Sequence, residues 1–160
     1  MPAEARRPLR AAPPGVAHWV PVASVLLAVA GLALAGYLTV EHYTASTTLA
    51  CPETGVVNCQ KVTSSAQSAV FGIPVALLGL LFFAAMVPFS LPMAWRSPSP
   101  ALRRGRAAFA LVGVGFVFYL VYTELFTLGA ICLWCTAVHI LTVALFAVIA
   151  FGTAAAEPVV

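Results

Sequence analysis

The sequence predicts an all-α integral membrane protein, a four-transmembrane-helix bundle with a cysteine-containing loop between helices 1 and 2 that lies outside the cytoplasm. Three observations carry that prediction. Of 160 residues, 62% are apolar and only 8% are charged, where a soluble domain carries about 25% charged residues. Uncharged stretches run over 11–40, 62–95, 107–123 and 125–156, against about 17 to 25 residues needed to cross the hydrocarbon as a helix. The basic residues are polarised along the chain, which sets an orientation.

The first span is expected near Trp19–Val40, behind Arg6, Arg7 and Arg10. An alternative for this run is a signal peptide ending at Ala33-Leu34-Ala35, but the run is longer than a typical signal core, and cleavage there would remove a helix the bundle needs. The second span is expected near Ser68–Leu91, the third near Ala107–Leu125 and the fourth near Ile131–Phe151. The third has little slack between Arg106 and Glu124, whose side chains are expected to snorkel to the two interfaces. The segments are too long and too uniformly apolar for a barrel, and a helical bundle satisfies the backbone without water. Gly31, Gly36, Gly79, Gly113 and Gly115 suit close helix packing in lipid.

Arg96, Arg103, Arg104 and Arg106 join the three N-terminal arginines on one side, which accounts for seven of the eight basic residues. Both termini are therefore expected in the cytoplasm of a plasma (inner) membrane, and all four cysteines outside it. The net charge of +3 is absorbed by these topology determinants, and nothing resembles a nucleic-acid module. The domain reading is a disordered cytoplasmic tail over 1–15, a four-helix membrane catalytic domain over 16–152 and a C-terminal tail over 153–160.

Chemistry concentrates in the cysteines. Cys132-Leu133-Trp134-Cys135 places two sulfurs three positions apart on one helix face, a spacing that closes a disulfide or pairs an attacking with a leaving thiol. The turn Thr127-Leu128-Gly129-Ala130 puts Cys132 in the first turn of the last helix, where unpaired amides and the positive dipole end favour thiolate. Cys51 and Cys59 lie in the polar loop from Glu41 to Gln67, where a structural disulfide is the plainer reading. Because the outer loops of a small bundle cover the same helix ends, about 20 Å across, the two pairs can exchange disulfides. A metal site built from the four cysteines, or with His139 replacing one, is a competing use. The Cys51 to Cys59 spacing is not that of a zinc knuckle, and no metal is expected. Thr136 excludes a c-type haem motif.

His139 sits one turn beyond Cys135 on its face, where an intramembrane ionisable group is a candidate functional residue; a core histidine bonded to a backbone carbonyl is the alternative. The aromatic residues Phe71, Phe116, Phe118, Tyr119, Tyr122, Phe126 and Trp134 cluster toward the outer halves of the helices. They offer stacking surface for a flat ring, or packing and an interfacial belt.

Taken together, Cys51 and Cys59, Val62-Thr63-Ser64-Ser65, Phe71-Gly72-Ile73-Pro74, and Cys132-Leu133-Trp134-Cys135 with His139 resemble the bacterial homologues of vitamin K epoxide reductase, over about residues 19–151. The resemblance implies a quinone-coupled membrane thiol oxidoreductase. Cys51 would take electrons from a dithiol partner by a mixed disulfide, Cys59 would release that partner, Cys59 and Cys132 would exchange, and Cys135 would contact the quinone ring. Ser65 and His139 match positions near the ring, although Ser65 is also a candidate helix N-cap; Phe71 and Tyr122 are expected to add stacking surface. The implied acceptor is a quinone of the menaquinone, ubiquinone or phylloquinone (vitamin K) type. The implied partner is a separate extracytoplasmic thioredoxin-fold (DsbA-type) protein, because the chain carries no fused thioredoxin-like domain. The alternatives are a quinone or epoxide reductase that uses thiols as reductant, and a structural or metal-binding subunit with static disulfides.

Overall fold

The computed structural model describes residues 16–44, 51 and 54–155. The expected N-terminal tail over 1–15 and the end of the C-terminal tail lie outside the described residues. Helix α1 (Trp19–Thr44) is followed by a short α2 (Cys59–Thr63), a single 3-10 turn (Ala66–Ser68) and a two-stranded hairpin of β1 (Ala69–Val70) and β2 (Ile73–Pro74). Then come α3 (Val75–Ser90), a short α4 (Pro92–Arg96), α5 (Pro100–Tyr122) with a π-helical continuation (Thr123–Leu128), and α6 (Leu133–Ala155). Helix α1 packs along both α3 and α6, and α5 packs against α6.

Helices α1, α6 and the continuous Pro100–Leu128 segment are long and apolar enough to cross a membrane. The second expected span is shorter at its start than the apolar run suggests. Phe71-Gly72 forms the two-residue turn of an antiparallel hairpin that pairs Ala69 with Pro74 and Val70 with Ile73. Phe71 and Gly72 both have positive φ, 51° and 80°, the backbone signature of the primed turns that match strand twist. Pro74 then precedes the first helical residue of α3, so α3 has 16 residues and spans about 24 Å at helical rise. The last helix runs through residues 153–155, which the sequence assigns to a tail.

The core lies where α1, α3 and α6 meet, around Val20, Ala28, Ala35, Phe83, Met86, Leu145 and Ile149. Gly31 is a packing requirement there, because a Cβ at that position would overlap the Phe83 ring. Gly113 plays the same part beneath Phe82, whose ring atoms would lie 2.6 and 2.7 Å from an added Cβ. Gly115 faces open space and has no such role.

Arg106 does not reach out to solvent. It is buried, stacks on the Trp95 ring at 3.3 Å from the centroid and donates to the Phe89 carbonyl at 3.2 Å. Trp95 in turn donates its indole N–H to Ser24 Oγ at 3.1 Å. The reason is the early start of α5: with Ser99 capping the Leu102 amide and Pro100 in the first turn, Arg106 falls two turns inside a helix rather than at its end. It there satisfies a free carbonyl of the last turn of α3.

Candidate active site

Local sequence chemistry brings the two cysteine pairs together. Asn58 is the N-cap of α2, its side-chain oxygen accepting from the Lys61 amide at 2.7 Å, which starts that helix at Cys59. The backbone on either side of the preceding Val57 pairs with Ile131. The Asn58 amide donates to the Ile131 carbonyl at 3.1 Å, and the Ile131 amide donates to the Val56 carbonyl at 2.9 Å. Since Cys59 follows Asn58 and Cys132 follows Ile131, this short parallel bridge sets one sulfur of each pair in the same place. Cys59 and Cys132, each 0% exposed, form one packed cluster with Val62 and Ala130, and Cys51, Leu128, Trp134 and Cys135 pack against it.

Both pairs are disulfides, Cys51 with Cys59 and Cys132 with Cys135, at Cα separations of 6.1 and 5.2 Å. Cys51 is partly buried whereas Cys59 is fully buried, so Cys51 is the more accessible member of the outer pair. Cys132 is the residue just before α6 rather than a member of its first turn. Its carbonyl accepts the Thr136 amide at 2.9 Å and its Sγ accepts the Cys135 amide at 3.1 Å. The sulfur thus takes the position an N-cap oxygen usually fills, at the positive end of the helix.

Cys135 faces a cavity of about 410 Å³ bounded by α1, α3, α5, α6 and the α2 region. Phe82, Phe83, Phe109 and Phe116 give it flat aromatic walls, and Phe82 lies 5.2 Å from Phe109 between ring centroids. Its polar groups include Ser65, Gln67, Thr123, Glu124 and His139. A volume in the range of small-molecule sites, mostly apolar walls and a few placed polar groups are what a quinone ring with two carbonyl oxygens requires. The residues present therefore fit such a group.

The expected site residues divide. Cys135, Ser65 and His139 line the cavity, and Cys51, Cys59 and Cys132 form the cluster beside it. Ser65 makes no capping bond; its hydroxyl donates to the Val62 carbonyl at 2.8 Å. His139 is buried at the cavity wall without the carbonyl bond its alternative reading requires among the described residues. Phe71 and Tyr122 do not line the cavity. Phe71 is fully exposed at the hairpin tip, and Tyr122 is exposed and stacked on Phe126 at 4.9 Å. Of the aromatic cluster read from the sequence, Phe116 reaches the cavity; Phe82, Phe83 and Phe109, nearer mid-helix, supply the rest.

The matching model is the Vitamin K epoxide reductase family, over residues 22–150. The chain belongs to this family. With apolar membrane-length helices and paired cysteines, membership makes it a membrane oxidoreductase of thiol–disulfide and quinone chemistry. The matched region takes in the loop pair, the cavity and the inner pair together.

Glu124 is a titratable residue of this family member's cavity that sequence reasoning leaves out. Its place near the end of a span reads as an interfacial charge. The π-helical turn over Thr123–Leu128 carries an extra residue per turn and ends on Gly129 in the left-handed conformation, whose amide bonds back to the Glu124 carbonyl. The Ala130 amide bonds to the same carbonyl at 3.1 Å. The side chain is thereby directed inward, 6% exposed, and Oε2 accepts the Cys132 amide at 3.3 Å. An acidic residue eight positions before the first cysteine of the motif is the only sequence signal for it.

Proposed function

We propose that the protein is a quinone-coupled thiol oxidase that makes disulfides in an extracytoplasmic thioredoxin-fold partner. The supporting observation is the graded series of cysteines: Cys51 partly exposed, Cys59 and Cys132 buried in one cluster, Cys135 on the cavity wall. A partner thiolate attacks the accessible Cys51, forming a mixed disulfide and releasing Cys59. The second partner thiol then frees the oxidised partner. Cys59 exchanges with Cys132, which leaves the inner pair reduced. A quinone bound in the cavity would supply the acceptor for the two electrons of that pair, its reduction to quinol needing two protons as well. Cys135 would hand over the electrons, the phenylalanine walls orient the ring and exclude water, and His139 is the hydrogen-bond donor for its oxygens, joined by Ser65 when its hydroxyl turns from the Val62 carbonyl.

In this reading α3 is the fourth crossing. The hairpin at one end and α4 at the other make up for its 16 residues, and both termini and the arginine-rich α4–α5 region lie in the cytoplasm. The family description also supports the opposite emphasis, in which partner thiols serve to reduce a vitamin K-like quinone or its epoxide. The cysteines act identically in both, and the partner and acceptor potentials set the direction.

The purified protein in detergent, given a reduced thioredoxin-fold dithiol and a soluble quinone, is expected to form partner disulfide and quinol in equal amounts. Cys135→Ser abolishes quinol formation, and a partner lacking its second thiol accumulates as a mixed disulfide at Cys51 of the otherwise unchanged protein. An adduct found at Cys132 instead overturns the order of the relay, and a wild-type protein that reduces no quinone overturns the function.

A further inference from the structure

Reduction of the inner disulfide adds two electrons and two protons, and the protons need somewhere to reside until an acceptor takes them. Cys132 and Cys135 sit at the start of α6, where the amide and dipole field favours one thiolate over two neutral thiols. The charged or titratable groups facing this region are His42 of α1, His139 of α6 and Glu124 of the π-turn, with Lys61 of α2 exposed to solvent. Of these, Glu124 is bonded to the inner pair itself through the Cys132 amide, lies on the cavity wall, and has no cationic partner among the described residues. A carboxylate buried without a cation is costly unless it serves as a proton site.

We infer that Glu124 is the proton carrier of the inner pair, holding on its carboxyl one of the two protons taken up when Cys132–Cys135 is reduced and delivering it to a quinone oxygen when the pair reoxidises. The inference rests on the preceding reading for its acceptor but not for its proton uptake. The balance is complete. A pair carrying one thiol and one thiolate, plus the Glu124 carboxylic acid and quinone, gives the disulfide, the Glu124 carboxylate and quinol. The two electrons leave the sulfurs, one proton comes from the remaining thiol and one from Glu124. The hydrogen bond from the Cys132 amide keeps the carboxyl beside the pair in both states.

The test is redox-difference infrared spectroscopy of the whole protein, reduced chemically without quinone. A protonated-carboxyl C=O band is expected to appear on reduction and to shift when the protein is made with carboxyl-13C glutamate. It should vanish in Glu124→Gln and persist in Glu41→Gln. Glu124→Gln keeps an oxygen for the Cys132 amide, so its disulfides and partner exchange remain, while quinol formation falls by about 10²-fold or more, the usual weight of a positioned acid–base group. Absence of the band in labelled wild type overturns the inference without needing any variant to fold. A Glu124→Gln protein that reduces quinone at the wild-type rate overturns it as well, since a purely capping role survives that change. A band on reduction with no quinone turnover in wild type overturns the proposed acceptor and leaves Glu124 as the proton site.

Discussion

Asn58 performs two structural tasks within one residue, and both fix the distance over which sulfurs must exchange. Its side chain ends the loop by capping α2, and its amide closes the bridge to Ile131. Asn58→Ala removes the first task only. The expected cost is about 1 kcal/mol in thermal unfolding, the usual value of a lost N-cap. A slower transfer of electrons from the outer to the inner pair should accompany it, read by quenching and mass-mapping the disulfides after a single turnover. A variant with unchanged stability and unchanged transfer contradicts the role given to the cap. The cysteines themselves and His139 stand out in the sequence because residue type and spacing point to chemistry there, whereas Ser65 stands out only through the family resemblance. Asn58, Ile131 and Glu124 are not plain, because their roles are backbone hydrogen bonds to residues far away in the chain.

At the scale of elements, the crossing of α1 with α3 depends on a missing side chain. Gly31 lets the Phe83 ring, itself 0% exposed, lie against the α1 backbone. Gly31→Val is expected to destabilise the bundle by about 1 to 3 kcal/mol, the cost of overpacking a filled interior. Adding Phe83→Leu should recover part of that loss, so the two changes couple in a double-mutant cycle of detergent unfolding. Additive effects would mean the two helices do not meet there. The same elements show where the linear reading falls short. Apolar runs locate α1, α5 and α6, since length and composition alone decide which segments suit hydrocarbon. They misplace the start of α3, because residues 68–74 are as apolar as a helix while Phe71-Gly72 turns the chain through a hairpin. For that reason Phe71 sits at an exposed tip rather than beside the cavity.

For the molecule as a whole, the two disulfides lie at one end of the bundle and the Arg96–Arg106 region at the other, joined by antiparallel helices. A membrane-impermeant maleimide applied to intact cells after mild reduction is expected to label Cys51. A cysteine introduced at Ser97 should be labelled only after the cells are opened. The reverse pattern would place the sulfurs in the cytoplasm and sink the oxidase reading. Composition, charge polarity and the spacing of four cysteines determined by themselves that the chain is a membrane protein with two cysteine pairs, and the motifs around those cysteines carried the resemblance to quinone-linked relatives. These are properties of residues near one another in the chain or of the chain as a sum. Only the tertiary structure decided that Cys59 and Cys132 share one buried cluster, that phenylalanines from α3 and α5 wall the cavity beneath Cys135, and that Glu124 turns inward. Those arrangements arise from a bridge across 73 positions, from Asn58 to Ile131, and from one π-helical turn, whose energetics depend on groups that meet only when the bundle closes.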